Sequence, residues 1–210
     1  MKSSRRIFVV TFASLLGFAG VARAASAGPA QDPAPALLST INSVVDLALG
    51  QPPDAIMTRL PQIREKMSET FAVEAIVQRA FGRNWTKLTP PQQKEAIDLL
   101  GKLVIRTYAT QLSTGERPKI SVTSSKEIGP DRREVTSVAS QNGQSVNVVY
   151  RLAPLDGKWK VYDVLAENVS VVGNYRQQFD SHFQKKSADE LLKTLRDKLA
   201  APVVVEKAKS

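Results

Sequence analysis

Two spacings of apolar residues divide the chain. From near Ala36, Leu37, Ile41, Val44, Val45 and Ala48 recur at helical intervals, and Gly50 with Pro52-Pro53 stops the run. Asp54 is placed to cap a short second helix that Pro61 limits. Phe71, Ile76, Val77, Ala80 and Phe81 mark a third helix, closed by Gly82. Thr89-Pro90-Pro91-Gln92 opens a fourth, with Thr as N-cap, Pro at the first helical position and Gln able to complete a capping box. Its apolar face is Ile97, Leu100, Val104 and Tyr108, with Leu103 and Thr107 beside it, and it should run to about Leu112. Gly101 in its middle costs about 1 kcal/mol relative to Ala, which close approach of another element or a ligand would explain.

Beyond Gly115 the period falls to 2. Ile120 and Val122 begin a strand, and Val135 lies in a second between Arg132 and Ser140. Asn142-Gly143 signals a hairpin into Val146, Val148, Tyr150 and Leu152, with Ser145, Asn147 and Arg151 on the other face. Asp156-Gly157 turns into Trp159, Val161, Asp163 and Leu165, and Val169–Val172 extends the sheet before helix resumes at Asn174. Ser187-Ala188-Asp189-Glu190 is a capping box for a last helix with Leu191, Leu192, Leu195 and Leu199 on its apolar face. Helices, a meander, then helices is an α+β order: a twisted antiparallel sheet of four to five strands with helices packed on one face.

The N-terminus changes the picture of where this domain works. Lys2, Arg5 and Arg6 precede an apolar run from Ile7 to about Val21, and Ala22-Arg23-Ala24 supplies small residues at −3 and −1. That pattern predicts a signal peptide over 1–24, cleaved near Ala24, and an exported chain. The run is about 15 residues, short of the roughly 20 needed to span a bilayer. A flexible Ala/Gly/Pro leader follows over 25–35, then a single domain over 36–200, helical over 36–112, a strand meander over 117–172 and helical again over 173–200, with a frayed tail at 201–210. The signal segment holds four of the 29 basic residues and no acidic one, leaving 25 against 20, so the net charge falls from +9 to +5. These charges are interspersed apart from short clusters such as Arg132-Arg133 and Lys185-Lys186, and suit anionic lipid headgroups or an acidic partner. No basic–aromatic motif points to nucleic acid. There is no Cys, which removes disulfides, thiolate chemistry and Cys-based metal sites.

Catalytic chemistry is thinly represented. His182 is the only histidine, no Gly-x-Ser-x-Gly elbow accompanies it, and it sits among Phe179, Phe183 and Lys185 as a packing or surface residue would. Asp163 and Glu167 are the best carboxylate pair for a hydrolase, against the simpler reading that Asp163 satisfies a backbone or Arg partner. No phosphate loop or metal-ligand spacing appears, so no cofactor or metal is expected. What remains is apolar: Trp85, Tyr108, Tyr150, Trp159, Tyr162, Tyr175 and Phe179 fall on elements that should face one another, either as core or as the wall of a ligand cavity.

The stretch Trp159-Lys160-Val161-Tyr162-Asp163-Val164, followed by Asn168 to Phe179, resembles the toluene-tolerance family of MlaC-type periplasmic phospholipid-binding proteins. Phe81-Gly82-Arg83-Asn84-Trp85, Leu88-Thr89-Pro90-Pro91-Gln92-Gln93, Tyr108 and Ala188-Asp189-Glu190-Leu191-Leu192 extend the resemblance over roughly 36–200. Ala72 departs from the family's Asp, and Asn168 from its Gly. The resemblance implies a monomeric periplasmic carrier, not an enzyme. Its cargo would be a glycerophospholipid, passed between an outer-membrane lipoprotein complex and an inner-membrane ABC transporter with an MCE-domain subunit, and so serving outer-membrane lipid asymmetry. It also implies an apolar pocket between sheet and helices. The residues assigned to that lining are Phe81, Trp85, Ile97, Leu100, Val104, Tyr108, Val146, Val148, Tyr150, Val161, Val171, Tyr175 and Phe179. Arg176 is the headgroup candidate, against a salt bridge to Asp163 or Asp180. Another apolar cargo, such as a hopanoid or an aromatic compound, stays open beside phospholipid.

Overall fold

The computed structural model describes residues 31–113 and 116–201. The expected signal segment 1–24, the leader up to residue 30 and the tail beyond residue 201 lie outside them. Helices α1 (Ala34–Ala48), α2 (Pro53–Ser68), α3 (Val73–Phe81) and α4 (Pro90–Ser113) come first, with a 3-10 segment Gly82–Lys87 before α4. Strands β1 (Lys119–Gly129), β2 (Arg132–Gln141), β3 (Gln144–Leu155), β4 (Lys158–Ala166) and β5 (Val169–Ser170) follow, then helices α5 (Val171–His182) and α6 (Ala188–Ala200). The strands form one antiparallel sheet in sequence order. The α+β architecture read from the periodicities is the one observed.

The turns follow from local chemistry. Asn142 and Gly143 both take positive φ (50° and 75°), as do Asp156 and Gly157 (51° and 72°), the backbone that two-residue hairpins need to match strand twist. Glu167 and Asn168 repeat the device between β4 and β5 at 47° and 64°. Asn tolerates this region, so its substitution for a family Gly leaves the turn intact. Ser187 and Glu190 form the predicted capping box of α6. At α4, Gln92 Oε1 accepts from the Thr89 backbone N–H at 2.8 Å.

Four expectations are corrected. Helix α2 does not stop at Pro61 but runs through it to Ser68, and begins at Pro53, which places Asp54 in its first turn rather than at the cap. An interior Pro costs about 3 kcal/mol. Burial of Ile56, Leu60 and Ile63 against Ile105 and Ala109 of α4 offsets this at roughly 1.5–3 kcal/mol per side chain. Phe71 is outside α3; it forms a parallel bridge with Val161, Ala72 N–H donating to Val161 O and Val161 N–H to Thr70 O. The α2–α3 connection thus covers part of the β4 edge. Val171 and Val172 are not strand: α5 starts at Val171, because the Ser170 hydroxyl accepts from Gly173 N–H and caps it there. Finally, the end of the expected leader is tied down. Asp32 Oδ1 accepts from Ala34 N–H at 3.0 Å and from Ser125 Oγ of β1 at 2.6 Å.

The interior falls into three clusters. Helices α3, α4, α5 and α6 bury Val77, Phe81, Leu99, Leu100, Leu103, Phe179, Leu192 and Leu195 together. The sheet buries Val135, Tyr150, Leu152 and Val161 against Ala34 and Leu37 of α1. The third cluster joins α1, α2 and α4 and links the other two. Arg106 of α4 donates to the carbonyls of Lys198, Leu199 and Ala201, closing the C-terminus of α6.

Candidate functional site

Burial divides the thirteen expected lining residues. Phe81, Leu100 and Phe179 lie inside the helical cluster, with Trp85, Ile97, Val104 and Tyr175 half-buried against it. The Phe81 ring is fully buried, tilted on Phe179 at 4.5 Å and edge-on to Trp85 at 5.6 Å. Tyr150 and Val161 belong to the sheet cluster, with Val148 half-buried beside them. Val146 and Tyr108 are 39% and 44% exposed. Val171 is half-buried at the first position of α5. The structure therefore brings ten of these residues together in two groups, one among helices and one on the sheet, and leaves Val146, Tyr108 and Val171 outside both.

Cross-strand neighbours share a sheet face. Val135, Tyr150 and Val164 pair across β2, β3 and β4, and this face meets α1. Burial raises the Tyr150 phenol above its ordinary value; the neighbouring Ser137 hydroxyl partly counters this, although the pair falls short of hydrogen-bond geometry. Burial likewise raises Tyr108 and Tyr175, and Tyr175 is raised further by the Tyr108 phenol. Hydroxyls on half-open aromatic rings suit a wall whose outer rim meets water.

Neither of the two prominent clefts is the apolar space expected between the β3 face and the helices. Both clefts are rimmed by arginine. One, of about 230 Å³, is bounded by Arg79, Arg151, Tyr162, Asp163, Ser170, Val172, Gly173 and Arg176. The other, of about 530 Å³, lies along Ala75, Gln78, Arg79, Gly82, Trp85, Thr86 and Arg176. Arg176 makes no ion pair with Asp163 or Asp180. Its Nε donates to Arg79 O at 2.8 Å and its Nη2 to the same oxygen, so it closes the last turn of α3. Gly82 is required beneath it: φ is +55°, and a Cβ would meet Arg176 Nε at 3.2 Å.

The carboxylates weighed for hydrolysis are committed elsewhere. Asp163, 8% exposed, accepts from Ser170 Oγ and from the N–H groups of Val164 and Val172, with Arg151 Nη1 at 3.8 Å. Glu167 Oε1 accepts from Asn147 N–H at 2.8 Å. His182 Nε2 is bonded to Ser187 O. Among the described residues no group of three or more His, Asp or Glu is arranged to hold a metal, and no helix is long and apolar enough to cross a membrane. Sequence reasoning missed Arg79 and noted Arg132 only in a basic pair with Arg133; the two flank the Tyr162 ring at 4.6 and 5.5 Å. Their separation along the chain gave no local signal.

The chain is a helix-covered antiparallel meander with a half-open aromatic and aliphatic rim. The family model described as MlaC protein matches residues 42–197, and the chain belongs to that family. A curated relative, the intermembrane phospholipid transport system binding protein MlaC of Haemophilus influenzae, is 22% identical over 147 residues, 68% of this chain and 69% of that one. A solved structure, the phospholipid-binding protein of Ralstonia solanacearum in complex with a phospholipid, superposes with a TM-score of 0.71 at 24% identity, covering 81% of this chain and 98% of that one. At that identity the likeness establishes the fold.

Proposed function

We propose that the protein is a phospholipid carrier of the MlaC type. It holds the acyl chains of a glycerophospholipid and passes the lipid between an outer-membrane lipoprotein complex and an inner-membrane ABC transporter with an MCE-domain subunit. The observation that carries this reading is family membership over 42–197, nearly all of the region expected to be the working domain. The names of the relatives in Haemophilus and Ralstonia agree with it. We place the acyl chains against Val146 and Val148 of β3, beside the buried Tyr150, and the rims of α4 and α5 at Val104, Tyr108 and Tyr175, where apolar side chains are left partly open. Phe81, Leu100 and Phe179 back that wall. Each buried CH₂ contributes roughly 0.8 kcal/mol, so two acyl tails require enclosure to cross an aqueous space. The charged headgroup stays at the rim, because burying it unpaired is costly. The carrier works as a periplasmic monomer after cleavage near Ala24 and performs no reaction, in keeping with the structural duties of Asp163 and Glu167.

Solvent extraction of purified protein followed by mass spectrometry tests this. Glycerophospholipid at close to one per chain is the expected result. A phosphate-free apolar solute would assign a different cargo, and protein consistently free of any lipid would refute carriage.

A further inference from the structure

Around Tyr162 the chain assembles cationic groups that the fold itself does not neutralise. The register of β3 with β4 shifts between Arg151 and Leu152: Arg151 pairs with Asp163, Leu152 with Val161, and Tyr162 is the extra residue. Such a bulge leaves its residue out of the ladder and re-aims the side chain. The Tyr162 ring is turned toward Arg79 of α3 and Arg132 of β2, whose guanidinium carbons lie 4.6 and 5.5 Å from its centroid. Arg176 of α5 borders the same cleft, held by two bonds to Arg79 O that leave its Nη1 uncommitted. Among the described residues, none of these three arginines has a carboxylate oxygen within 4.0 Å. The nearby acids are already occupied: Asp163 by Ser170, backbone N–H groups and Arg151, and Glu134 by Arg151 and Lys126.

Three guanidinium groups, one fixed by the backbone and two set against one ring, are suited to a multidentate oxyanion. The size of the cleft narrows the ligand. At about 230 Å³ it lies below the roughly 300–1,000 Å³ of sites that enclose drug-sized molecules, a size that suits a compact anion. We propose that this cleft binds a phosphate group, Arg79 and Arg176 meeting its oxygens and Arg132 adding charge from across the Tyr162 ring. The source is the headgroup phosphodiester of carried lipid or a soluble phosphate ester; only the first of these rests on the carrier reading.

The test is calorimetric titration of lipid-free, refolded protein with inorganic phosphate and with glycerol 3-phosphate at low ionic strength, where such contacts are least screened. Saturable one-site binding is expected, weakened tenfold or more in Arg79→Gln/Arg132→Gln. Tyr162→Leu, which removes the platform and leaves all three charges, should weaken it by a smaller factor. Arg176 is left in place because it closes α3, and thermal unfolding of each variant checks that the fold survives. Loss of phosphate binding on reloading the protein with phospholipid assigns the site to the headgroup. Unchanged binding assigns it to a soluble ester. Absence of saturable binding in the wild type, or equal binding in the double variant, overturns the proposal. Failure of carriage alone would appear as lipid-free extracts with the phosphate titration intact.

Discussion

The helical and sheet halves of this protein bury similar residue types but close to different degrees. Between α3, α4, α5 and α6 the aromatic rings interlock, Phe81 touching Phe179, Trp85 and Phe183 with centroids 4.5 to 6.3 Å apart. On the sheet, the strands bury Val135, Tyr150, Leu152, Val161 and Leu165, and Val122, Val148 and Val164 around them are half-buried. A cluster that fills its own space stabilises the fold and leaves no room for a guest. A cluster left partly open has lower stability and retains apolar surface for one. The proposed carriage assigns these halves different tasks, the helices to stability and the sheet face to cargo.

The largest expected effect separates the two. Phe81→Ala should cost about 3–5 kcal/mol in denaturant unfolding, as for other buried aromatic truncations. A loss below about 1 kcal/mol would mean that the helical half is not the stabilising one. Next comes the hinge between the halves at Asp163. Asp163→Asn removes the charge from a buried acceptor shared by β4, Ser170 and the first turn of α5, and should cost about 1.5–3 kcal/mol. Lipid occupancy of the surviving folded protein should remain near that of the wild type, whereas loss of an enzymatic turnover would reopen the carboxylate-pair reading.

Acid should loosen the sheet half through Asp32. Its carboxyl sits below the usual value of 3.8, held down first by the Ser125 hydroxyl and then by Ala34 N–H. A depressed pKa contributes stability that is complete above the unfolded value and lost as pH falls through the folded one. Asp32→Asn should therefore flatten the stability profile below about pH 4, measured by hydrogen exchange of α1 and β1. An unchanged profile would show that the contact does not hold α1 to the sheet. The smallest effect tests helix packing at Gly101, where an added Cβ meets Val73 Cγ1 at 3.5 Å, an ordinary contact. Gly101→Ala should raise stability by about 0.5–1 kcal/mol, read from the midpoint of urea unfolding.

The same contrast explains what was legible in the sequence. Hairpin turns announced themselves because Asn142-Gly143 and Asp156-Gly157 carry their backbone preference in two adjacent residues. The Ser187–Glu190 cap was equally local. Val171 and Val172 read as strand because β-branched residues favour it; Ser170 and the distant Asp163 draw them into a helix instead. Pro61 read as a stop because the burial that carries α2 past it comes from α4. For the site, periodicity indicated which face of each element is apolar but not which partner it meets. It gave no warning of the bulge that brings Tyr162 to Arg79 and Arg132.

The central claim is that the half-open sheet face holds the cargo. Native mass spectrometry of Val148→Glu beside the wild type addresses it most directly, with circular dichroism confirming that the variant is folded. The account predicts phospholipid at close to one per wild-type chain and its loss from the variant, since a carboxylate would then lie against the acyl chains. Full lipid occupancy in folded Val148→Glu would contradict it.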